Sequence, residues 1–296
     1  MKKIKYLLAA LALSFAGSAM AQEDSGNFFT AEGDLNESLP IDLPTSAPLE
    51  GLEPIELLNP RADDIYWSKI VWRIVDLREK FNYPFYFPVE AGDNRQNLFS
   101  LIFNLGRTGK IKLYRYDDKK EYFDNQHLVE FKEILRQHEI AYEAKLDSIT
   151  NDTIFEVGEA DIPAPKVLKY YLKEVWYFDK ISSTFNCRII SLCPILDKTG
   201  EDGVSVESYP LFWIPFEKVR PFFAQQEVVI TDKNNGARPS FDDIFMKRRF
   251  SGYIFRESNV MDRNLLEYNN DAQECHKEQA RIKNTILNFE NDLWEY

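Results

Sequence analysis

The sequence predicts an α+β fold with a helical N-terminal half, an antiparallel sheet in the middle and a long C-terminal helix. Apolar residues recur at helical spacing early and late in the chain, whereas its middle is rich in aromatic and β-branched residues separated by turn signals. A hydrophobic content of 44% over 296 residues is enough to bury a full core. We therefore expect a globular body.

Residues 1–21 have the form of a secretory signal peptide. Three lysines precede a short apolar run, and the small residues of Ala19-Met20-Ala21 follow it. The run is shorter than the roughly 20 apolar residues of a membrane-spanning helix, so no direct membrane insertion is expected. No cysteine precedes Cys187, so we also expect no lipid anchor on the chain itself.

The charge is acidic and unevenly distributed. The formal net charge is −12, and loss of the three signal-peptide lysines brings the mature chain to −15. Nucleic acid is therefore not an expected ligand. Residues 22–60 hold nine acids, five prolines and no Lys or Arg, which is typical of an extended linker or tail. The alternative is a tail that lies on a neighbouring subunit through Leu49, Leu52, Ile55 and Leu57.

Residues 61–296 are predicted to form the body, and residues 61–150 to be mostly helical. Apolar residues at helical spacing predict an amphipathic helix that ends before the proline-containing NYPFYFP. Further helices are predicted over about 93–105 and 126–146, with a strand over 110–116 between them. The apolar positions of the first helix are Trp67, Ile70, Val71, Ile74, Leu77 and Phe81.

Residues 165–257 are predicted to be mostly strand, because aromatic and β-branched runs follow one another between turn signals. Hairpins would join these runs into an antiparallel sheet. The first run also fits a helical period through Leu168, Leu172 and Val175, so a helix is the alternative there. The runs cover 170–178, 184–196, 204–214 and 227–231.

Residues 262–294 are predicted to form the terminal helix. Its apolar residues alternate three and four apart from Leu265 to Leu293, which gives a heptad seam. We favour a helix that docks on its own sheet. In the alternative it packs on another subunit, with Ile282, Ile286 and Phe289 as contacts.

The sequence predicts no catalytic residues, no cofactor and no metal. It has no nucleophile elbow, HExxH, P-loop or dinucleotide-binding glycine motif. His127 and His138 are three turns apart on the predicted helix, so they cannot hold one ion together. Residues 232–236 match only part of a calcium loop, because the later acidic positions are missing. A non-enzymatic role is therefore expected.

Three cysteines are an odd number for an exported chain. Cys187 and Cys193 lie on one predicted strand, six residues apart, which is too far for a disulfide. We expect inert, buried thiols. A bridge from Cys275 to one of the other two is the alternative.

Two segments suggest contacts with other proteins. Residues 209–223 crowd aromatic rings, so Trp213 and Arg220 are interface candidates, with ordinary core packing as the alternative. In residues 240–263, Ser240 is predicted to cap a helix, and a basic cluster is predicted in its last turn. On an acidic chain such a cluster is a candidate docking point. The cluster consists of Lys247, Arg248 and Arg249.

Three blocks of the chain resemble the GldN (also called PorN) family of the type IX secretion and gliding machinery of Bacteroidetes. They are DDIYWSKIVWRIVDLREKFNYPFYFP from Asp63, PLFWIPFEKVRPFF from Pro210 and SFDDIFMKRRFSGYIFRESNVMDR from Ser240. The resemblance implies an exported periplasmic protein that repeats in a ring with the outer-membrane lipoprotein GldK (PorK). It also implies contact with the periplasmic part of the inner-membrane motor protein GldM (PorM).

Two other functions remain as alternatives. One is a stand-alone periplasmic module that binds a peptide or envelope ligand through the aromatic surface of residues 209–223. The other is a hydrolase, which would need a deep pocket that joins a histidine to carboxylates.

Overall fold

A computed structural model describes residues 51–92, 95–117, 120–146, 153–158, 161–200, 205–230, 239–260, 263–269 and 271–293. The predicted signal peptide, most of the acidic segment and the partial calcium-loop match at 232–236 lie outside these residues. What the sequence predicts for these three segments therefore stays a prediction.

The described residues form eight strands, seven α-helices and three short 3-10 helices. The strands are β1 (Ile65–Asp76), β2 (Glu143–Leu146), β3 (Thr153–Glu156), β4 (Val167–Asp179), β5 (Thr184–Thr199), β6 (Val206–Pro210), β7 (Ile214–Pro215) and β8 (Tyr253–Glu257). The helices are α1 (Tyr83–Tyr86), α2 (Leu98–Arg107), α3 (Phe131–Gln137), α4 (Phe216–Ala224), α5 (Phe241–Met246), α6 (Leu265–Tyr268) and α7 (Ala272–Asp292).

One antiparallel sheet forms the centre of the described part of the fold. Its strand order is β6-β5-β4-β1-β8, and β7 also pairs with β5. The strands β2 and β3 form a separate antiparallel pair. The predicted antiparallel sheet in the middle of the chain is confirmed, and residues 170–178 belong to strand β4 rather than to a helix.

The predicted helical N-terminal half is wrong at its most periodic segment. Residues 65–76 form β1, which lies between β4 and β8. Val71 and Trp72 are both buried, because other parts of the chain cover the two faces of this strand. A strand buried on both faces carries consecutive apolar residues, and these also fit a helical period. Its Trp, Ile and Val content favours a strand.

The other early elements are confirmed only in part. The helix predicted over 93–105 is present as α2, where the Asn97 side chain accepts a hydrogen bond of 2.8 Å from the Ser100 N–H. The helix predicted over 126–146 is restricted to α3, and residues 143–146 are strand β2. The strand predicted over 110–116 is restricted to bridges that Tyr114 makes to Leu128 and Trp213.

One face of the sheet carries the main core. Phenylalanines from α1, α2, α4 and α5 pack against apolar side chains of β1, β4 and β5. The two rings of Phe85 and Phe245 stack with centroids 4.9 Å apart. The opposite face is covered by side chains that pack around Trp72, namely Tyr114, Tyr116, Phe123, Leu128 and Trp213.

The C-terminal helix is confirmed, and it is divided into α6 and α7. Ile282 and Ile286 are buried against Val71 and Ile254 of the sheet. Phe289 stacks on Trp67 with ring centroids 4.4 Å apart. The apolar seam of this helix thus docks on the protein's own sheet, as we favoured.

Candidate assembly surfaces

Helix α5 begins with the predicted capping box. The Ser240 hydroxyl accepts a hydrogen bond of 3.1 Å from the Asp243 N–H. The Asp243 carboxylate accepts one of 3.1 Å from the Ser240 N–H. Two backbone donors at the start of the helix are thereby satisfied.

Helix α5 ends with a turn that separates the three basic residues. The Arg249 N–H donates to the Ile244 carbonyl at 2.8 Å, and the Arg248 N–H donates to the Phe245 carbonyl at 3.1 Å. Arg248 has a φ of +50°. These features define a Schellman motif, in which glycine usually takes the left-handed position. The cluster predicted in the last turn of the helix therefore follows its end at Met246.

Arg248 is partly buried, and its guanidinium contacts other parts of the protein. Its Nη2 lies 2.9 Å from Oε1 of Glu174, and its Nη1 lies 3.0 Å from Sγ of Cys187. Its guanidinium lies over the Trp176 ring at 4.9 Å from the centroid. Arginine thus occupies a left-handed position that glycine would adopt at less cost, and its side chain makes these contacts.

Glu174 is a buried carboxylate between the two apolar clusters on its face of the sheet. It has no exposed surface, and Nε of Arg73 lies 3.3 Å from its Oε1. On the same face of β4, Leu172 belongs to the main core, and Trp176 packs against the cluster under α7. Arg73 and Arg248 therefore join β1 and the loop after α5 to the centre of the sheet.

Gly252 allows the chain before β8 to pass close to β1, beside Arg73. Its carbonyl accepts a hydrogen bond of 2.8 Å from Nη1 of Arg73. A Cβ at this position would lie 2.6 Å from the Ile74 carbonyl oxygen. A larger residue would therefore move β8 away from β1.

Arg220 is buried and paired inside the chain. Its Nε and Nη2 lie 2.8 and 3.0 Å from the two carboxylate oxygens of Asp242. The same Nη2 donates to the Ile55 carbonyl at 2.7 Å. This candidate interface residue thus joins α4 to α5 and holds the end of the acidic segment on the body.

Most of the aromatic segment 209–223 belongs to the core. Trp213 is 2% exposed, stacks on Tyr116 with centroids 5.9 Å apart, and exchanges two backbone hydrogen bonds with Tyr114. The neighbouring Phe212 and Ile214 point into the main core on the other side. The structure therefore supports the packing alternative for this segment, and contact of Trp213 or Arg220 with another protein stays a prediction.

A groove opens between residues 80–88 and residues 227–230. Its volume is about 1070 Å³, and it also reaches α5 and the turn after it. Exposed Phe81 and Phe87 provide much of its apolar wall. We call it the aromatic groove. Its apolar lining is Phe81, Tyr83, Pro84, Phe87, Pro88, Val228, Val229, Ile230 and Ile244, and its charged lining is Lys80, Arg95, Glu227 and Arg249.

Arg249 lines the aromatic groove, whereas its neighbour Arg248 does not. Arg249 and Lys80 are exposed at the groove, where Arg95 lies 3.6 Å from Glu227. Lys247 is exposed and lies 2.6 Å from the Asp243 carboxylate. Of the three clustered cations, Arg249 alone lines the groove.

The sequence pointed to some of these positions and missed others. It singled out residues 247–249, but nothing in it showed that Glu174 would meet Arg248, because 74 positions separate them. Phe81 was assigned to the inner face of a helix, and it is 60% exposed. The available signal for the groove was the density of aromatic residues and prolines from Phe81 to Pro88. In the structure three of these aromatic residues, Phe81, Tyr83 and Phe87, are exposed.

The three described cysteines are free thiols; Cys193 and Cys275 are buried as expected, whereas Cys187 is only partly buried. None of the three described cysteines forms a disulfide, so the alternative bridge from Cys275 is absent. The strand register places Cys187 opposite Trp176 and Cys193 opposite Tyr171, on opposite faces of the sheet. Burial, with a smaller effect of Glu174, raises the pKa of Cys187 to about 12.

The comparison with family models agrees with this account. The model described as gliding motility associated protein GldN matches residues 60–295. The chain belongs to the GldN family. The match runs from just before β1 to the residues after α7, so it includes the aromatic groove and the Glu174 contacts. Membership makes the chain a component of the gliding motility and type IX secretion machinery.

Three further features of this GldN-family chain are absences. A comparison with curated proteins found no match. Within the described ranges, no three His, Cys, Asp or Glu residues are grouped as a metal site would require. Over the same ranges, no helix combines the length and the apolar character needed to cross a membrane.

Proposed function

We propose that this chain is a non-enzymatic periplasmic subunit that forms a ring with a GldK/PorK-like outer-membrane lipoprotein. The observation that carries the proposal is the family match over residues 60–295. The predicted signal peptide supports export. The lipoprotein would hold the ring at the membrane.

The architecture suits a subunit that repeats around a ring. Heterologous contacts close rings when two different surfaces of a subunit meet, so such a subunit needs both surfaces exposed. The aromatic groove is one exposed apolar surface. Contact with a GldM/PorM-like motor protein is part of the same proposal and rests on the family alone.

The test is to co-express the mature chain with its lipoprotein partner and measure the mass of the purified product. Sedimentation velocity should give a large particle that contains both proteins, and electron microscopy should show closed rings. Separate monomers in both measurements would contradict the proposal. An enzymatic activity that co-purifies with the chain would contradict the non-enzymatic part of the proposal.

The groove favours a second candidate, a stand-alone module that binds a peptide. Its volume of about 1070 Å³ lies at the upper end of ordinary ligand sites, and its walls are mostly apolar. Neighbouring genes discriminate the two functions. A scaffold should be encoded beside its lipoprotein and motor partners, whereas a stand-alone module has no such requirement.

A further inference from the structure

The chemistry of the aromatic groove defines the kind of ligand it would accept. Exposed Phe81 and Phe87 offer apolar surface, and three cations stand against the single acid Glu227 among its lining residues. The groove therefore suits an extended segment that alternates apolar and acidic side chains. Its volume of about 1070 Å³ is enough for several side chains.

The chain carries such a segment at residues 52–58. Leu52, Ile55 and Leu58 are 50%, 70% and 70% exposed, although a leucine or isoleucine gains free energy when buried. They are spaced three apart. Glu53 and Glu56 are exposed between them. In an extended chain with three residues per turn, positions three apart share one face, so the apolar and acidic residues would form two parallel rows.

Contacts with the body hold this segment by its backbone and its end. Arg220 donates to the Ile55 carbonyl at 2.7 Å, and Arg188 donates to the Asn59 side chain at 2.8 Å. These contacts leave the Ile55 side chain in solvent. A segment held in this way loses less conformational entropy when it meets a partner.

We propose that residues 52–58 of one copy occupy the aromatic groove of a neighbouring copy. The groove is lined by other parts of its own chain, and the segment is held elsewhere, at Arg220. Glu53 and Glu56 would face Lys80 and Arg249, while the three apolar side chains would cover the aromatic wall. Because the two surfaces differ, the contact is heterologous, and such contacts form a ring when their rotation closes. The inference rests on the proposed function and supplies its subunit contact.

The test is a charge exchange in the full mature chain with its lipoprotein partner. We expect Lys80→Glu with Arg249→Glu to weaken assembly about tenfold, and Glu53→Lys with Glu56→Lys to do the same. Combining the four changes should restore assembly to within about threefold of the original chain. Sedimentation velocity over a concentration series measures the effect, and thermal unfolding verifies that each variant is folded.

Two exposed positions outside the groove provide matched controls. Lys283→Glu and Glu274→Lys on α7 change charge by the same amount per residue and should leave assembly unchanged. If the groove variant and these controls behave alike, the proposal is wrong. It is also wrong if the groove variant weakens assembly while the segment variant does not, because the lipoprotein would then be the occupant.

A cross-linking measurement tests the contact without the lipoprotein. Isotopically light chains with a photo-reactive amino acid in place of Leu58 are mixed with isotopically heavy chains. The photo-reactive residue should cross-link to residues 80–88 or 227–230 of a heavy chain. Links confined to one copy, or links to other surfaces, would overturn the inference. An intact ring without the charge effect would overturn this contact and leave the proposed function standing. If the unaltered chain and its lipoprotein partner form no ring, the proposed function itself is wrong.

Discussion

Arg248 and Arg249 are neighbours in the chain, yet they contact different regions of the protein. Arg248 lies 2.9 Å from a carboxylate that has no exposed surface, whereas Arg249 is exposed at the aromatic groove. The two residues follow each other in the Schellman turn after α5, and their side chains contact different parts of the protein. One basic cluster in the sequence thus divides into a residue that stabilises the fold and a residue available for assembly.

The difference teaches why charge alone does not identify a docking surface. A cation that pairs with a buried carboxylate cannot be removed without leaving that carboxylate uncompensated. A solvated cation contributes little to folding and can serve a partner. Reversing both arginines together would therefore mix loss of folding with loss of assembly, and only separate substitutions distinguish them.

The largest expected effect is at Glu174. Glu174→Gln should lower the free energy of unfolding by about 3 kcal/mol, because two arginines lose their common carboxylate. Chemical denaturation measures the change. The control is Glu139→Gln, since Glu139 is 84% exposed and pairs only at the surface with Lys198, and it should cost less than about 0.5 kcal/mol. Equal losses in the two variants would show that Glu174 has no special role.

The next effect distinguishes the contribution of the Arg248 side chain to stability from that of its left-handed backbone. Arg248→Ala should cost about 2 kcal/mol, because a charged hydrogen bond to Glu174 is lost while the strain of the left-handed position is unchanged. Arg248→Gly should cost about 1 kcal/mol less, since glycine adopts positive φ freely. Arg249→Ala should change stability very little. If Arg249→Ala costs as much as Arg248→Ala, the proposed division between them fails.

A smaller effect is expected at Gly252, which supports the Arg73 side of the same cluster. Gly252→Ala places a Cβ 2.6 Å from the Ile74 carbonyl and should cost about 1.5 kcal/mol through displacement of β8. Thermal unfolding measures the loss. Gly92 has open space around its Cβ position, so Gly92→Ala is the matched control and should be close to neutral. A neutral Gly252→Ala would mean that β8 yields without cost.

The smallest effect concerns pH, and it extends the contrast between buried and exposed groups to histidines. Burial, with a smaller effect of Lys198, lowers the pKa of His138 below its usual 6.5. Below pH 6.5 the unfolded chain takes up a proton at this histidine that the folded chain resists. Stability should therefore fall from pH 6.5 downwards, by less than about 1 kcal/mol per pH unit.

Substitution of His138 should remove that part of the acid dependence. Denaturation of His138→Gln at pH 7.5 and 5.5 should show a smaller difference between the two conditions than the original chain shows. His276 is exposed on α7, and His276→Gln should keep the original difference. An unchanged acid dependence in His138→Gln would assign the effect to other groups.

Local signals predicted parts of the fold correctly. The capping box at Ser240 and Asp243 is encoded within four residues, and the β4–β5 hairpin by two β-rich runs around a turn. The strand β1 could not be recognised from periodicity alone. Both of its faces are buried, so consecutive apolar residues matched a helix as well as a strand.

The assembly surfaces were less predictable than the fold, because distant parts of the chain build them. The groove combines residues 80–88, residues 227–230 and Arg249. The Arg220 contact joins α4 to α5 and to Ile55, which is 165 positions away. Sequence spacing carries no information on such contacts. It identified Arg249 by its charge, but not the groove that Arg249 lines.

The central claim is that Arg248 stabilises the fold while Arg249 serves assembly. It is tested most directly by Arg249→Glu in the complex with the lipoprotein partner. Sedimentation velocity measures the fraction of chain in ring-sized particles, beside a thermal unfolding curve of the same sample. We predict an unchanged unfolding temperature and a clear loss of ring-sized particles. Full assembly by this variant, or a loss of stability like that of Arg248→Ala, would contradict the account.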